Sequence, residues 1–188
     1  VKVILKISKE MYPEVDFPHE DKIASINAYL GAFPIAQALK DGADIVITGR
    51  SVDSAVTLAA CIYSFDWSVS DYNKLASGSL AGHIIECGTQ STGGNFTDWE
   101  LVSKDLHQIG YPIVDIKDSG EFDCSKSKDS TGLVSFGTVA EQMLYEIGDP
   151  QSYILPDVIC DFSQVTIKEI EKDIVRVSGA VGYPAPKQ

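Results

Sequence analysis

Short apolar runs and amphipathic stretches alternate along the first half of the chain, and this alternation predicts strands separated by helices. The apolar run within residues 43–48 is typical of a parallel strand that is covered on both faces. Another strand is predicted at residues 1–7, and helical spacing predicts helices at 22–30 and 34–42. The first half therefore favours a layered α/β arrangement.

The second half of the chain is richer in strand patterns and turns. Predicted strands lie at residues 111–116, 133–136, 158–162 and 174–178. Predicted helices lie in a segment ending near Phe65 and at residues 72–76, 79–86 and 139–147, and residues 117–132 are interpreted as a surface excursion. We therefore expect a layered α/β fold, with a mostly parallel sheet flanked by helices in the first half and a more strand-rich second half. Residues 1–188 are expected to form a single α/β body.

Composition and charge exclude several classes of partner. The 188 residues have 44% hydrophobic and 22% charged content, which is ordinary for a globular protein. The formal net charge of -12 argues against nucleic acid and against an anionic membrane surface, because both attract clustered Lys and Arg. No apolar run approaches the roughly 20 residues that cross a bilayer. We therefore expect a cytoplasmic protein.

The four cysteines are distant from one another in the sequence. They are Cys61, Cys87, Cys124 and Cys160. Neither a Cys-x-x-Cys pair nor a histidine pair at zinc-finger spacing accompanies them, so neither a metal site nor a disulfide framework is predicted. Reduced cysteines are expected.

A polar turn follows the predicted strand at residues 43–48. Ligands of open α/β sheets collect at such turns, where the free N–H groups of a helix start favour an anion. Gly49 would let the backbone approach a ligand closely, and Arg50 could bind a carboxylate or phosphate with two hydrogen bonds. Alternatively, Ser51 and Asp53 only cap the next helix, and Arg50 pairs with one of the many carboxylates.

Three chemically active side chains lie close together in residues 82–96. Helical spacing puts His83 and Glu86 on one face, three residues apart, with Cys87 next to His83. The C-terminal turn of a helix disfavours anions, so Glu86 should retain its proton more readily than a free carboxyl and suits acid or base catalysis. A thiol at the end of a helix forms a thiolate less readily than one at its start, so Cys87 ranks below Glu86 as a catalytic candidate. Alternatively, the pair is only a satisfied polar contact.

The glycine-containing run that follows predicts either an oxyanion-binding nest or a simple turn. Thr92, Gly93, Gly94 and Asn95, with Gln90 before them, would line a pocket whose backbone N–H groups bind an anionic oxygen. The run lacks the Gly-Lys-Ser/Thr sequence of a phosphate-binding loop, and the chain has no dinucleotide-binding fingerprint. No separate cofactor is therefore predicted.

These segments also resemble those of a known family. The motifs NAYLGAF (27–33), DIVITGR (44–50), GHIIECG (82–88) with TGGNF (92–96), YEIGDP (145–150) and LPDV (155–158) are similar to those of the acyclic terpene utilisation proteins of the AtuA type. They occur in that family's order over almost the whole chain. Members look longer than this chain, so the resemblance implies that it is a fragment of an AtuA-like protein.

The resemblance implies a role in the bacterial breakdown of acyclic terpenes, whose intermediates travel as coenzyme A thioesters. We therefore expect a small-molecule enzyme domain acting on an organic acid or its acyl thioester, through a hydratase, lyase or hydrolase step. Coenzyme A would enter only as part of the substrate. The alternative is a non-catalytic binding or assembly subunit, and in either case a homo-oligomer is expected.

Overall fold

The computed structural model describes residues 18–185, which contain four α-helices and seven strands. The helices are α1 (Phe33–Lys40), α2 (Ala55–Phe65), α3 (Tyr72–Glu86) and α4 (Phe136–Leu144). The strands are β1 (Pro112–Ile116), β2 (Phe122–Lys126), β3 (Tyr153–Ile154), β4 (Val158–Asp161), β5 (Thr166–Glu171), β6 (Ile174–Ser178) and β7 (Val181–Pro184). Short 3₁₀ turns lie at Glu20–Lys22, Gln90–Thr92, Trp99–Leu101 and Leu106–Gln108. Across the described residues, no helix is both long enough and apolar enough to span a bilayer.

The strands form two antiparallel sheets, so the predicted mostly parallel sheet is wrong. One sheet has the order β1-β2-β6-β5 and the other β3-β4-β7, with antiparallel pairing throughout. Residues 43–48 form no strand, and Ile45 and Ile47 are 82% and 92% exposed. A buried parallel strand needs paired neighbours on both edges and cover on both faces. Within residues 18–185 no strand pairs with this run, and of its residues Val46 packs against the core while Ile45 and Ile47 do not. The mixture of helices and strands that the sequence predicts is nevertheless present.

Several other predicted elements change. Residues 22–30 form no α-helix, because the backbone of Leu30 bonds instead to Arg50 and Val52, at N to O distances of 3.0 Å. Residues 133–136 form no strand, since Ser135 caps α4 with a capping box. The predicted strand at residues 1–7 lies outside the described part of the chain.

Two further segments are more regular than predicted. The helical segments 72–76 and 79–86 are one helix, α3, which continues through Ser77 and Gly78. The predicted surface excursion at 117–132 contains β2, where Phe122 and Cys124 are buried and Asp123 between them is only half-buried. This alternation with a period of two marks a strand with one covered face.

The central helix, α3, is surrounded by the other elements. Ten consecutive residues, from Leu75 to Ile84, are buried. Helix α3 packs against α2, α4, β1, β4 and β7, and the buried apolar residues of the described chain, apart from Val102, join in one cluster. Small residues along α3 allow this close packing on all sides.

The residue that precedes α2 lies very close to α3 at Gly82. A β-carbon at this position would lie 2.7 Å from the backbone oxygen of Ser54, the residue that precedes α2. Real β-carbons do not come so close to backbone atoms, so a glycine is required. The crossing therefore fixes the start of α2 beside the last turn and a half of α3.

A long-range contact joins α1 to the second sheet. The carboxylate of Asp157, next to β4, accepts a hydrogen bond from the backbone N–H of Ala32 at 2.7 Å, just before α1. A side chain at Gly31 would collide with that carboxylate. Burial raises the pKa of Asp157, and the N–H groups of Ala32 and Phe33 oppose the shift. The NAYLGAF and LPDV motifs thus share a structural role, because they form the cap of one helix.

Replacing Gly82 with alanine should destabilise the protein by about 1–3 kcal/mol, because the added methyl group overpacks the crossing with Ser54. Urea titration followed by circular dichroism would measure the free energy of unfolding. Gly49→Ala is the control, since a β-carbon there meets nothing within 4 Å. A Gly82→Ala variant as stable as the parent would contradict the described crossing.

Candidate functional site

The C-terminal end of α3 holds a largely buried acid and base side by side. His83 and Glu86 lie one turn apart, with His83 Nδ1 3.9 Å from Glu86 Oε1, and their side chains are only 6% and 19% exposed. The Cys87 thiol donates a hydrogen bond to the same Glu86 oxygen, at 3.0 Å. The structure therefore brings these three predicted site residues together.

Burial sets the charge of His83. The surrounding core lowers the pKa of His83, and the negative charge of Glu86 opposes this effect without overcoming it. The imidazole is therefore neutral at pH 7. Its Nε2 atom is buried and has no hydrogen-bond partner within residues 18–185. A neutral imidazole can either donate or accept a hydrogen bond, depending on its tautomer.

The Cys87 thiol is protonated at neutral pH. Burial, followed by the hydrogen bond to Glu86, raises its pKa to about 11. Thiolate is the nucleophilic form of cysteine, so only a very small fraction of Cys87 is reactive at pH 7. In this arrangement Cys87 acts as a hydrogen-bond donor to Glu86.

The charge of Asp53, which lies just before α2, reaches Tyr153 beside this site. Tyr153, in β3, has a half-buried side chain whose pKa is raised first by burial and then by nearby groups that include Asp53 and Glu86. Its ring packs against the His83 ring, with 6.3 Å between the centroids. Both predicted segments therefore contribute a carboxylate to the surroundings of Tyr153.

Arg50 lies on the surface and interacts with Tyr29. Its Nη2 donates to the Tyr29 hydroxyl at 3.0 Å, and its guanidinium carbon lies 4.6 Å from the centre of the Tyr29 ring. The Tyr29 hydroxyl is the main cause of the raised pKa of Arg50, and the charge of Asp53 adds to it. Arg50 is thus close to Asp53 but is not buried with Glu86.

A shallow depression of about 230 Å³ lies beside this segment. Its lining includes Leu30, Ile47 and Gly49, and neither Arg50 nor Glu86 belongs to it. This depression therefore does not join Arg50 to Glu86.

The glycine-containing run forms a closed turn. The backbone N–H groups of Gly93 and Gly94 donate to the carbonyls of Gln90 and Thr89, at 3.0 and 2.8 Å. Thr92 donates its hydroxyl to the carbonyl of Gly110 at 2.6 Å. These three donors therefore bond to carbonyl groups of the protein itself, as the groups of a turn do.

The remaining polar groups of this run differ in exposure. Asn95 is exposed, whereas Gln90 Oε1 and the Ser91 hydroxyl are buried without a hydrogen-bond partner in the part of the chain described. Buried polar atoms normally find such a partner, in protein or in water. The segment thus holds two buried polar atoms without a partner in residues 18–185, beside the exposed Asn95.

Two residues of this site are absent from the sequence predictions. Gln142, buried in α4, donates from its side-chain Nε2 to the His83 carbonyl at 2.9 Å and so holds the last turn of α3. A signal for it existed, because Gln142 lies three residues after Val139 on the apolar face of a predicted helix. Tyr153 lies in a strand of only two residues, which is too short to show the alternation of apolar and polar residues that predicts a strand.

A family model described as acyclic terpene utilisation family protein AtuA matches residues 6–188. Comparison with curated proteins and with solved structures gave no match. Within residues 18–185, no group of three or more His, Cys, Asp or Glu side chains is placed to share a metal ion.

The buried neutral His83 should make stability fall in mild acid. Its folded-state pKa is lowered, so its contribution to stability is complete above the unfolded value of about 6.5 and is lost as the pH falls toward the folded value. The free energy of unfolding, measured from pH 7.5 to 5, should fall by up to about 1.4 kcal/mol per pH unit from this residue.

His83→Gln should reduce this pH dependence, whatever its effect on stability at pH 7.5. His107→Gln is the control, because His107 is exposed and should leave the parent's slope unchanged. Equal slopes for the parent and His83→Gln would show that burial does not disfavour the charged imidazole.

Proposed function

The chain belongs to the acyclic terpene utilisation family, and from this premise we propose that it is a cytoplasmic small-molecule enzyme domain of acyclic terpene breakdown. Its substrate is an organic acid or the corresponding coenzyme A thioester. The chemistry is proton transfer in a hydratase, lyase or hydrolase step, and coenzyme A takes part only as a portion of the substrate.

The observation that supports this proposal most directly is the buried pair of His83 and Glu86. Their atoms lie 3.9 Å apart, and the pair is shielded from bulk water at the end of a helix packed on all sides. Low exposure strengthens the electrostatic interactions within the pair. In our proposal the Glu86 carboxyl group transfers the proton. His83 orients this carboxyl group, and the Cys87 thiol donates a hydrogen bond to it.

Arg50 suits a separate part of the substrate. Arg50 is a surface cation. The charge of Asp53 raises the pKa of both Arg50 and Tyr153, so Asp53 links the surface cation electrostatically to the buried part of the site. A coenzyme A thioester is long and has anionic phosphates far from its carbonyl. We therefore propose that Arg50 binds an anionic group outside the buried pair, where guanidinium groups bind phosphate well.

A second candidate function is that of a non-catalytic assembly subunit. The observation that favours it is the exposure of Ile45 and Ile47, at 82% and 92%, in the apolar run of residues 43–48. Apolar residues concentrated at the surface are typical of protein contacts. The occupant that we propose is a second copy of this chain, which gives a homo-oligomer under both candidate functions.

Glu86→Gln should abolish turnover while leaving the fold intact. The amide keeps the shape of the side chain but cannot transfer the proton, which is worth about 10²–10⁴-fold in rate. Mass spectrometry of terpenoid acids and their thioesters incubated with the intact protein would measure conversion. The free energy of unfolding should change by no more than about 1–2 kcal/mol.

Glu100→Gln is the matched control, since Glu100 is exposed and far from α3 in the chain, and it should convert substrate at the parent's rate. Undiminished conversion by Glu86→Gln would refute the acid/base role. A parent protein that binds these compounds without converting any of them would favour the assembly function.

The proposed homo-oligomer should dissociate when charge is placed in the exposed apolar run. Light scattering coupled to size-exclusion chromatography should give a multiple of the chain mass for the parent and a lower mass for Ile47→Glu. Val69→Glu is the control, because Val69 is similarly exposed, at 66%, but lies in the loop between α2 and α3. A monomeric parent at micromolar concentration, or an oligomer unaffected by Ile47→Glu, would contradict this interface.

A further inference from the structure

We infer that Tyr153 is a second catalytic residue, whose hydroxyl donates a hydrogen bond to the carbonyl oxygen of a bound acyl thioester while Glu86 removes the proton from the adjacent carbon. This inference rests on the proposed function and narrows its substrate from acids and thioesters to thioesters alone.

The position of the Tyr153 ring is fixed on both sides. Its centroid lies 6.3 Å from that of His83 and 6.0 Å from that of Phe162, and both pairs are tilted, as aromatic contacts in cores usually are. Strand pairing holds its backbone opposite Cys160. A catalytic donor needs such a fixed geometry, because misplacement by about 1 Å costs orders of magnitude in rate.

The Tyr153 hydroxyl is free to bind a ligand. Within residues 18–185, burial and nearby charges act on the Tyr153 side chain and no hydrogen bond to its hydroxyl contributes, although the side chain is half-buried. A buried phenol usually has a partner for its hydroxyl, so a half-buried one that lacks a partner beside an acid/base pair is a reasonable donor for a substrate.

Nearby charge keeps the hydroxyl protonated and selects the substrate. Burial, and then the charges of groups that include Asp53, Glu86 and Glu146, raises the pKa of Tyr153, so it remains a donor at neutral pH. The same carboxylates repel a free carboxylate placed against the hydroxyl. A thioester carbonyl is neutral and does not meet this repulsion, and its α-hydrogen is more acidic than that of a carboxylate.

The step is balanced without any co-reactant. The carbon–hydrogen bond next to the carbonyl breaks, its proton passes to a Glu86 oxygen, and its electron pair moves into the enolate. The enolate oxygen accepts the hydrogen bond from Tyr153, which stabilises the charge as it develops. Return of a proton from Glu86, after exchange with solvent, regenerates the thioester with a labelled α-position in D₂O.

The test measures deuterium incorporation into butanoyl-coenzyme A by NMR in D₂O, with the intact protein. The Tyr153→Phe variant retains the ring and its contacts with His83 and Phe162 but loses the donor. We expect its kcat for exchange to fall by about 10²–10³-fold, as for loss of one oxyanion donor, with KM changed by less than about threefold. Tyr63→Phe is the control, because Tyr63 lies on α2 and is 48% exposed.

The outcomes separate this inference from the proposed function. Exchange at the parent's rate by Tyr153→Phe, together with its loss in Glu86→Gln, would overturn the role of Tyr153 and leave Glu86 as the proton carrier. A parent that converts terpenoid acids but exchanges no thioester would overturn the substrate assignment alone. A parent that neither exchanges nor converts any of these compounds would overturn both.

Discussion

The crossing of α2 over α3 at Gly82 is the contact on which the candidate site depends. The backbone of Ser54 lies where a side chain at residue 82 would be, so the two helices meet almost backbone to backbone. Asp53, next to Ser54 in the chain, is thereby held near the end of α3. His83 and Glu86 lie within about one helical turn after Gly82. A wider crossing would separate the carboxylates and remove the electrostatic coupling that both exert on Tyr153.

The same tight packing sets the protonation of the site. Helix α3 is buried over ten consecutive residues, so its last turn presents titratable groups to the core rather than to water. Burial is the largest cause of the lowered pKa of His83 and of the raised pKa of Cys87 and Tyr153. The side chains of His83, Cys87 and Tyr153 are therefore neutral at pH 7. The site thus combines neutral hydrogen-bonding groups with nearby carboxylates.

Local features of the site were predictable, whereas features that depend on distant partners were not. The spacing of His83 and Glu86 predicts their contact, because positions three apart on a helix are neighbours. Tyr153 arrives from a strand of two residues, which no pattern reveals. The run at 43–48 has the apolar composition of a buried parallel strand but does not form one. A short stretch of sequence cannot show whether the rest of the chain supplies strands to pair with it. The sequence does not reveal strand β2, because its two buried residues alternate with polar ones in a segment that is rich in polar residues throughout.

The cap of α1 has a consequence for the order of events during synthesis. The carboxylate that accepts the N–H of Ala32 belongs to Asp157, 125 positions later in the sequence. The ribosome adds residues from the N-terminus, so α1 leaves the exit tunnel long before its cap exists. Docking of this helix must therefore wait until the chain has been translated beyond β4, and a nascent chain halted earlier would expose its buried face to chaperones.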